Sequence, residues 1–169
     1  MRVSRSHRRL THVLLSGMVL LLGIAGLPGS AVGASPELVV SQVYGGGGNT
    51  GATFTHDFIE LFNRGTATAF VSGWSVQYAS ATGTGNFAAN STMITPLPDV
   101  SIAPGQYVLI QEAQGAGGTT PLPTPDVIDS TPIAMAATGG KVALVNTTTP
   151  LGCNGGSTPC SWKPSRRCT

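Results

Sequence analysis

The chain has 169 residues with 23 glycines and 12 prolines, and only 9% of its residues are charged while 41% are hydrophobic. This composition is too apolar and too weakly charged for a disordered chain. The basic residues lie near the two ends, so residues 35–161 contain Arg64 and Lys141 against seven acidic residues, a net charge of −5. Such a body offers no basic patch for a nucleic-acid backbone, and we expect no direct nucleic-acid binding.

The N-terminal 34 residues have the three parts of an export signal. Arginines cluster before residue 10, an apolar run follows at 13–27, and Val32-Gly33-Ala34 is typical of a cleavage site after Ala34. The apolar run is shorter than the about 20 residues that a membrane span needs. We therefore interpret residues 1–34 as a signal peptide and expect a secreted, extracellular protein without a membrane span after cleavage. An uncleaved anchor is the alternative.

The remaining chain is long enough for one domain and contains short β-type runs separated by glycine and proline. The firmest predicted strands are 38–44, 57–63, 73–79, 106–112 and 141–146. Shorter strands are predicted at 68–71, 92–95 and 100–103. In the third run Trp74, Val76 and Tyr78 share one face, whereas 106–112 alternates less cleanly, as expected of a strand covered on both sides. The pattern indicates an antiparallel sandwich or barrel.

A glycine-rich loop, GGGGNTGAT at 45–53, follows the first predicted strand. Gly46, Gly48 and Gly51 have the G-x-G-x-x-G spacing of a dinucleotide-binding loop. Phosphate-binding loops open onto a helix, whereas the next residues predict a strand, and Ala52 stands where the NTPase loop has lysine. We interpret the loop as a flexible connection between two strands and expect no cofactor.

Four motifs follow one another along the chain: DFIELFNRG at 57–65, VSGWSVQYAS at 71–80, SIAPGQYVLI at 101–110 and GGKVALVN at 139–146. Together they resemble the successive motifs of the lamin tail domain family. The resemblance covers about residues 38–161 and implies an all-β fold, an immunoglobulin-like antiparallel β-sandwich, for the domain at 35–161. The sequences of residues 41–61 and 151–161 are similar to those of the bacterial secreted branch of this family. There the domain often precedes an extracellular nuclease or other hydrolase, has no known catalytic residues, and its ligand is not defined.

The motif positions have folding roles in this interpretation. Residues 63–65 are expected to turn the chain by adopting a positive φ. Trp74 is expected to be a core anchor, and Pro104-Gly105 fits positions i+1 and i+2 of a type II turn. The structural motif positions are Phe58, Glu60, Leu61, Asn63, Gly73, Trp74, Pro104, Gly105, Val142 and Leu144.

Residues 162–169, WKPSRRCT, form an atypical basic tail that departs from the resemblance. In the family the cysteine segment is followed by a closing strand, so the sandwich is expected to lack its last strand or strands. Two interpretations stay open: a truncated or frame-shifted reading frame, or a native basic tail for an anionic surface.

Three clusters are candidates for chemistry. His56 and Glu60 share one face of a predicted strand about 13 Å apart, with Asp57 on the other face, too distant to hold one metal ion without help. We expect a solvent-exposed strand edge there instead. Asp126 and Asp129 could hold calcium, but hydrated loop acids are favoured. No G-x-S-x-G elbow occurs. We predict no catalytic, cofactor-binding or metal residues.

The third cluster is a cysteine pair. Cys153 and Cys160 are not spaced as a redox or zinc motif, and in an exported protein they predict a disulfide, with Cys168 free or bonded to another molecule. The resemblance to the lamin tail domain family implies a secreted, non-catalytic module for adhesion or targeting, a truncated N-terminal part of an extracellular hydrolase. Its partner would be an extracellular protein or another surface ligand. The alternatives are a small secreted nuclease-like hydrolase with acids around Asp57 and Glu60, and a non-functional gene fragment.

Overall fold

The protein is seen in a computed structural model that describes residues 37–154 and 158–160. All of them belong to one unit, and their regular structure consists of strands. In this described part of the chain no helix has the length and hydrophobicity needed to cross a membrane. The predicted signal peptide and the predicted basic tail lie outside the described residues.

The described residues form nine strands. They are β1 (Leu38–Tyr44), β2 (His56–Asn63), β3 (Ala69–Phe70), β4 (Ser75–Ser80), β5 (Ile94–Pro96), β6 (Ser101–Ile102), β7 (Tyr107–Gln114), β8 (Val127–Ile128) and β9 (Gly140–Val145). One sheet has the order β1-β2-β7-β8, a second has the order β5-β4-β9, and β3 pairs with β6. Neighbouring strands are antiparallel except β7 and β8, which are parallel. The predicted all-β, antiparallel fold is confirmed and is consistent with an immunoglobulin-like sandwich.

The core lies between the inner faces of the sheets. Strand β2 directs Ile59 and Leu61 into it, and β7 directs Val108 and Ile110 into it, because successive side chains of a strand point to opposite faces. Tyr78 and other residues of β4 meet them from the second sheet. Each fully buried aliphatic side chain of this size contributes about 1.5–3 kcal/mol relative to exposure.

Strand β4 is buried on its other face as well. Ser75 and Gln77 are fully buried, although they lie opposite the core residues of the same strand. The Ser75 hydroxyl donates to the carbonyl of Thr147, the Gln77 side-chain amide donates to Thr149, and its oxygen accepts the N–H of Leu151. The segment after β9 is thus tied to the back of the second sheet by satisfied polar side chains.

Strand β7 differs from its prediction. Val108 and Ile110 are buried, but Tyr107 on the opposite face is 55% exposed. The expectation that this strand is covered on both sides is therefore wrong at its first residue. The face that carries Tyr107 is open to solvent there.

The turn after β2 is made by a side chain and not by the predicted positive φ. Among the described residues, positive φ occurs at eight glycines and at Ala88, not at residues 63–65. Instead the Asn63 side-chain oxygen accepts the N–H of Gly65 at 2.9 Å, and its amide donates to the carbonyls of Ala67 and Ile102. The bond to Gly65 makes an Asx turn, and the two amide bonds let the buried Asn63 order a second loop as well.

The turn before β7 has the geometry that its sequence favours. Gly105 has φ +73°, a conformation that glycine adopts without strain, and the N–H of Gln106 donates to the carbonyl of Ala103 at 3.0 Å. The N–H of Gly105 also donates to the carbonyl of Asn63, so the turns at the ends of β2 and β7 are hydrogen-bonded to each other.

The absence of a closing strand stays a prediction, because residues 155–157 and 161–169 are not described. Within the described residues, β1 and β9 each pair with one strand.

A disulfide joins Cys153 and Cys160, with 4.9 Å between their α-carbons. The carbonyl of Cys153 accepts the N–H of Phe87, and the neighbouring Asn154 is buried. The Asn154 side chain donates to the carbonyls of Gly83 and Gly85 and accepts from the Lys141 ammonium group. These contacts fix the disulfide loop to the segment after β4.

We expect the Cys153→Ser, Cys160→Ser double variant to lose about 2.5 kcal/mol of unfolding free energy, because the closed loop no longer restricts the unfolded chain. Denaturant unfolding of both proteins measures the difference. A Cys168→Ser variant is the matched control and should unfold like the parent. Non-reducing peptide mapping that linked Cys168 to Cys153 or Cys160 would contradict the pairing.

Candidate functional site

The motif positions are spread over the domain rather than gathered into one site. On β2, Leu61 and Asn63 are buried on the core side, while Phe58 and Glu60 lie on the opposite face, where Phe58 is buried as well. The others lie just before β4, in the turn before β7 and on strand β9: Gly73, Trp74, Pro104, Gly105, Val142 and Leu144. Trp74, Val142 and Leu144 are partly buried and pack against the core. These residues support the fold from several sides.

The glycine-rich loop encloses a carboxylate of the protein itself. The N–H of Gly47 donates to Oδ1 of Asp57 at 2.6 Å, and the N–H of Met135 donates to Oδ2 at 2.6 Å. Gly46 and Gly48, on either side, have φ +77° and +69°. Successive N–H groups in such a loop form a concave anion site, and here an internal side chain occupies it.

Close packing explains why this loop needs glycine without invoking a phosphate. A Cβ at Gly47 would lie 2.0 Å from the carbonyl carbon of His56, and one at Gly48 would lie 2.3 Å from the α-carbon of Gly115. Both neighbours are main-chain atoms that cannot move aside cheaply. The glycines let two loops approach each other.

Asp57 is only 3% exposed, so the prediction of a solvent-exposed strand edge is wrong for this residue. Asp57 lies two and four residues before the core residues Ile59 and Leu61 on β2, so its side chain is on the same, inward face of the strand. Burial raises its pKa above the usual value, and the N–H groups of Met135, Gly47 and Gly46 lower it in part.

Glu112 is a second buried carboxylate that the sequence interpretation missed. It is 1% exposed on β7, in phase with Val108 and Ile110, and this phase is the signal that could have identified it. Its oxygens accept the Thr95 hydroxyl at 2.8 and 3.1 Å and the N–H of Ile133 at 2.7 Å. Because Thr95 belongs to β5, this bond crosses from one sheet to the other.

Burial raises the pKa of Glu112 from its usual 4.5 to about 7. The hydrogen bonds from Ile133 and Thr95 lower the pKa in part, and the negative charges of Asp129 and Asp57 raise it further. Glu112 therefore changes charge near neutral pH inside the core.

The two carboxylates hold the same irregular segment, residues 133–135. Glu112 accepts from Ile133 and Asp57 accepts from Met135, while the carbonyls of Ile133 and Met135 accept from Ala113 and Gly46. The segment is thus bonded on alternate residues although it belongs to no strand. The two carboxylates of this cluster accept hydrogen bonds from main-chain N–H groups, and Glu112 can take up a proton near neutral pH.

The other predicted candidates are separate from this cluster. Nδ1 of His56 lies 2.9 Å from the Thr55 hydroxyl, and Glu60 accepts the Ser41 hydroxyl at 2.6 Å. Asp126 accepts the N–H of Leu109. Within residues 37–154 and 158–160, no group of three His, Cys, Asp or Glu side chains could hold a metal ion.

A cavity of about 250 Å³ lies beside β1 and β9. Its lining is mostly aliphatic, with Val40, Val43, Met135 and Val142 among the residues that form it. The hydroxyl of Tyr78, also in the lining, accepts the N–H of Ala136. The cavity has apolar walls and no charged group.

The face of the first sheet that points away from the core, here called the outer face, carries aromatic rings. Phe62 and Tyr107 are stacked with their centroids 4.5 Å apart. Tyr44, Phe54 and Phe58 form a second group of rings with centroids 5.3–5.7 Å apart. Glu60 lies on β2 between the two groups.

Comparison with known proteins identifies one family. The model of the family described as Lamin Tail Domain matches residues 31–153, more than half of the chain. No curated protein matches the chain.

The buried carboxylates should make stability fall as pH rises. The folded pKa of Glu112, about 7, lies above its usual 4.5, so the folded protein binds this proton more tightly. The proton on Glu112 contributes on the order of 3 kcal/mol to the free energy of unfolding below pH 4.5, and this contribution is lost as pH rises through about 7. The raised pKa of Asp57 acts in the same direction. Denaturant unfolding at several pH values should show this slope.

Glu112→Gln should flatten that slope, because the amide has a similar shape and does not titrate. Glu60→Gln, on the outer face, is the matched control and should keep it. An unchanged slope in Glu112→Gln would show that another group causes the pH dependence.

Proposed function

We propose that this chain, which belongs to the lamin tail domain family, is a non-catalytic binding module that works outside the cell. It attaches to an extracellular protein or another surface ligand, and it serves an extracellular hydrolase as an adhesion or targeting domain. Export is supported by the signal-like segment at 1–34 and by the Cys153–Cys160 disulfide, a bond typical of oxidising compartments.

The observation that carries the proposal is the use of Asp57 in folding. A nuclease-like alternative needs acids that reach a substrate or a metal ion. Both oxygens of Asp57 accept main-chain N–H groups at 2.6 Å inside the protein, and Glu112 is equally enclosed. These carboxylates act on the chain itself.

A binding role needs an accessible surface instead of a reactive group. Tyr107 is 55% exposed on the outer face and Ile128 is 65% exposed. Both lie on paired strands of one sheet, and a rigid sheet presents side chains at fixed spacing. This arrangement supports contact with a surface.

We expect the exported protein to sediment with the insoluble extracellular material of its source cells and to cleave nothing. In a nuclease assay with Mg²⁺, Mn²⁺ or Ca²⁺ it should give only background cleavage, because its buried acids cannot reach a substrate. His56→Ala and Glu60→Ala serve as matched variants and should leave that background unchanged.

Two results would count against the module. Metal-dependent cleavage abolished by either substitution would establish the nuclease alternative. If the folded protein stays entirely in the supernatant, the proposed attachment to an extracellular surface is contradicted.

A further inference from the structure

The strand register defines which side chains meet on the outer face. In one row Val39 of β1 lies opposite Phe62 of β2, which lies opposite Tyr107 of β7. In the next row Gln42 lies opposite Glu60, which lies opposite Leu109. The rows are fixed by main-chain pairing, so the face is preorganised before any ligand arrives.

The first row presents an aromatic surface. The rings of Phe62 and Tyr107 are stacked with 30° between their planes, and Tyr107 is the more exposed of the two. A tyrosine needs to order few torsions, and it offers an apolar ring together with a polar hydroxyl. An exposed ring of this kind suits a ligand that has a flat C–H face and polar edges.

The second row adds hydrogen-bond acceptors beside the rings. The Ser41 hydroxyl donates to Oε1 of Glu60, which orients the carboxylate on the sheet. A carboxylate has about four lone-pair sites, so this one can accept further hydroxyl groups. Gln42 is exposed in the same row and can both donate and accept.

A third row lies beyond it. Tyr44 lies opposite Phe58, and Phe58 lies opposite Gln111, which pairs with Ile128 of β8. Between Phe62 and Phe58 the strand advances by about 13 Å. Rings therefore lie on both sides of the row of acceptors, although Phe58 itself is only 5% exposed and leaves the accessible ring surface to the first row.

The charge of the face favours a neutral ligand. The four strands of this sheet contain no lysine or arginine, and Glu60 is the one acidic residue that they direct to the outer face. Polyanions such as nucleic acids require cationic side chains, which these strands lack. The mixture of rings, amides and a carboxylate matches a polymer of uncharged rings rich in hydroxyl groups.

We propose that the outer face binds a neutral polysaccharide, with the side of the Tyr107 ring that Phe62 leaves uncovered against the C–H face of a sugar ring and Glu60 and Gln42 bonding its hydroxyls. This inference rests on the proposed function and names the ligand class of that module. No bond is made or broken on the face.

Affinity electrophoresis of the exported protein tests the inference in gels that contain hydroxyethyl cellulose, xylan, laminarin or galactomannan. At least one of these polymers should retard the protein. DNA and polygalacturonate, as anionic polymers, should not retard it.

Variants assign the binding to the face. Tyr107→Ala should weaken binding by at least about tenfold, whereas Tyr107→Phe, which keeps the ring, should stay within about twofold. Phe70→Ala is the matched control, because Phe70 is 68% exposed on β3, outside this sheet. Should Tyr107→Ala fail to fold, Glu60→Gln provides the second test and should weaken binding several-fold.

The proposal is overturned by retardation with none of the neutral polymers, by retardation with DNA or polygalacturonate, or by neutral-polymer binding that the folded Tyr107→Ala or Glu60→Gln leaves unchanged. Sedimentation with cell material separates the two claims. If the protein sediments with cell material but no neutral polymer retards it, this inference alone is refuted. If it neither sediments nor is retarded, the binding module is refuted as well.

Discussion

Asp57 and Glu112 place two carboxylates in the core, on the neighbouring strands β2 and β7, where each accepts main-chain N–H groups from the segment at 133–135. Burying a carboxylate is costly unless hydrogen bonds replace its water. Each acid here receives at least two bonds, and removing one acceptor would leave a buried N–H unpaired at a cost of about 1–3 kcal/mol. The irregular segment therefore depends on these acids for its position.

The same constraint explains the glycine-rich loop. Its spacing resembles a phosphate loop because both structures direct N–H groups toward an anion. Here the anion is Asp57, brought into the loop by the alternation of β2, and Met135 completes the site from the other side. A nucleotide phosphate would have to displace a side chain that the fold itself requires.

The sequence was most informative where periodicity and turn chemistry agree. The first strand was predicted with its observed bounds, and the other four firm strands differ by one or two residues at their ends. Alternation correctly places Asp57 on the opposite face of β2 from His56 and Glu60. The two-residue strand β8 was missed because it lies among prolines and is held by parallel pairing to a strand remote from it in sequence.

The candidate site was harder to predict because its contacts are long-range. Nothing near Glu112 in sequence indicates that Thr95 and Ile133 will meet it, and Asp57 was assigned to solvent although it is in phase with Ile59. An acid in phase with core residues is a usable signal for a buried polar group. The outer face likewise becomes visible only when strand register places Phe62 beside Tyr107.

Amide hydrogen exchange of Ile133 and Met135 tests most directly whether the two carboxylates hold the segment. A main-chain N–H outside the strands exchanges slowly only if it is hydrogen-bonded to a buried acceptor and that bond breaks only when the surrounding structure opens. We predict that both amides exchange as slowly as those of β2 and β7, and that Asp57→Ala accelerates Met135 more than Ile133. Exchange of both amides at the rate of exposed loops in the unmodified protein would contradict the account.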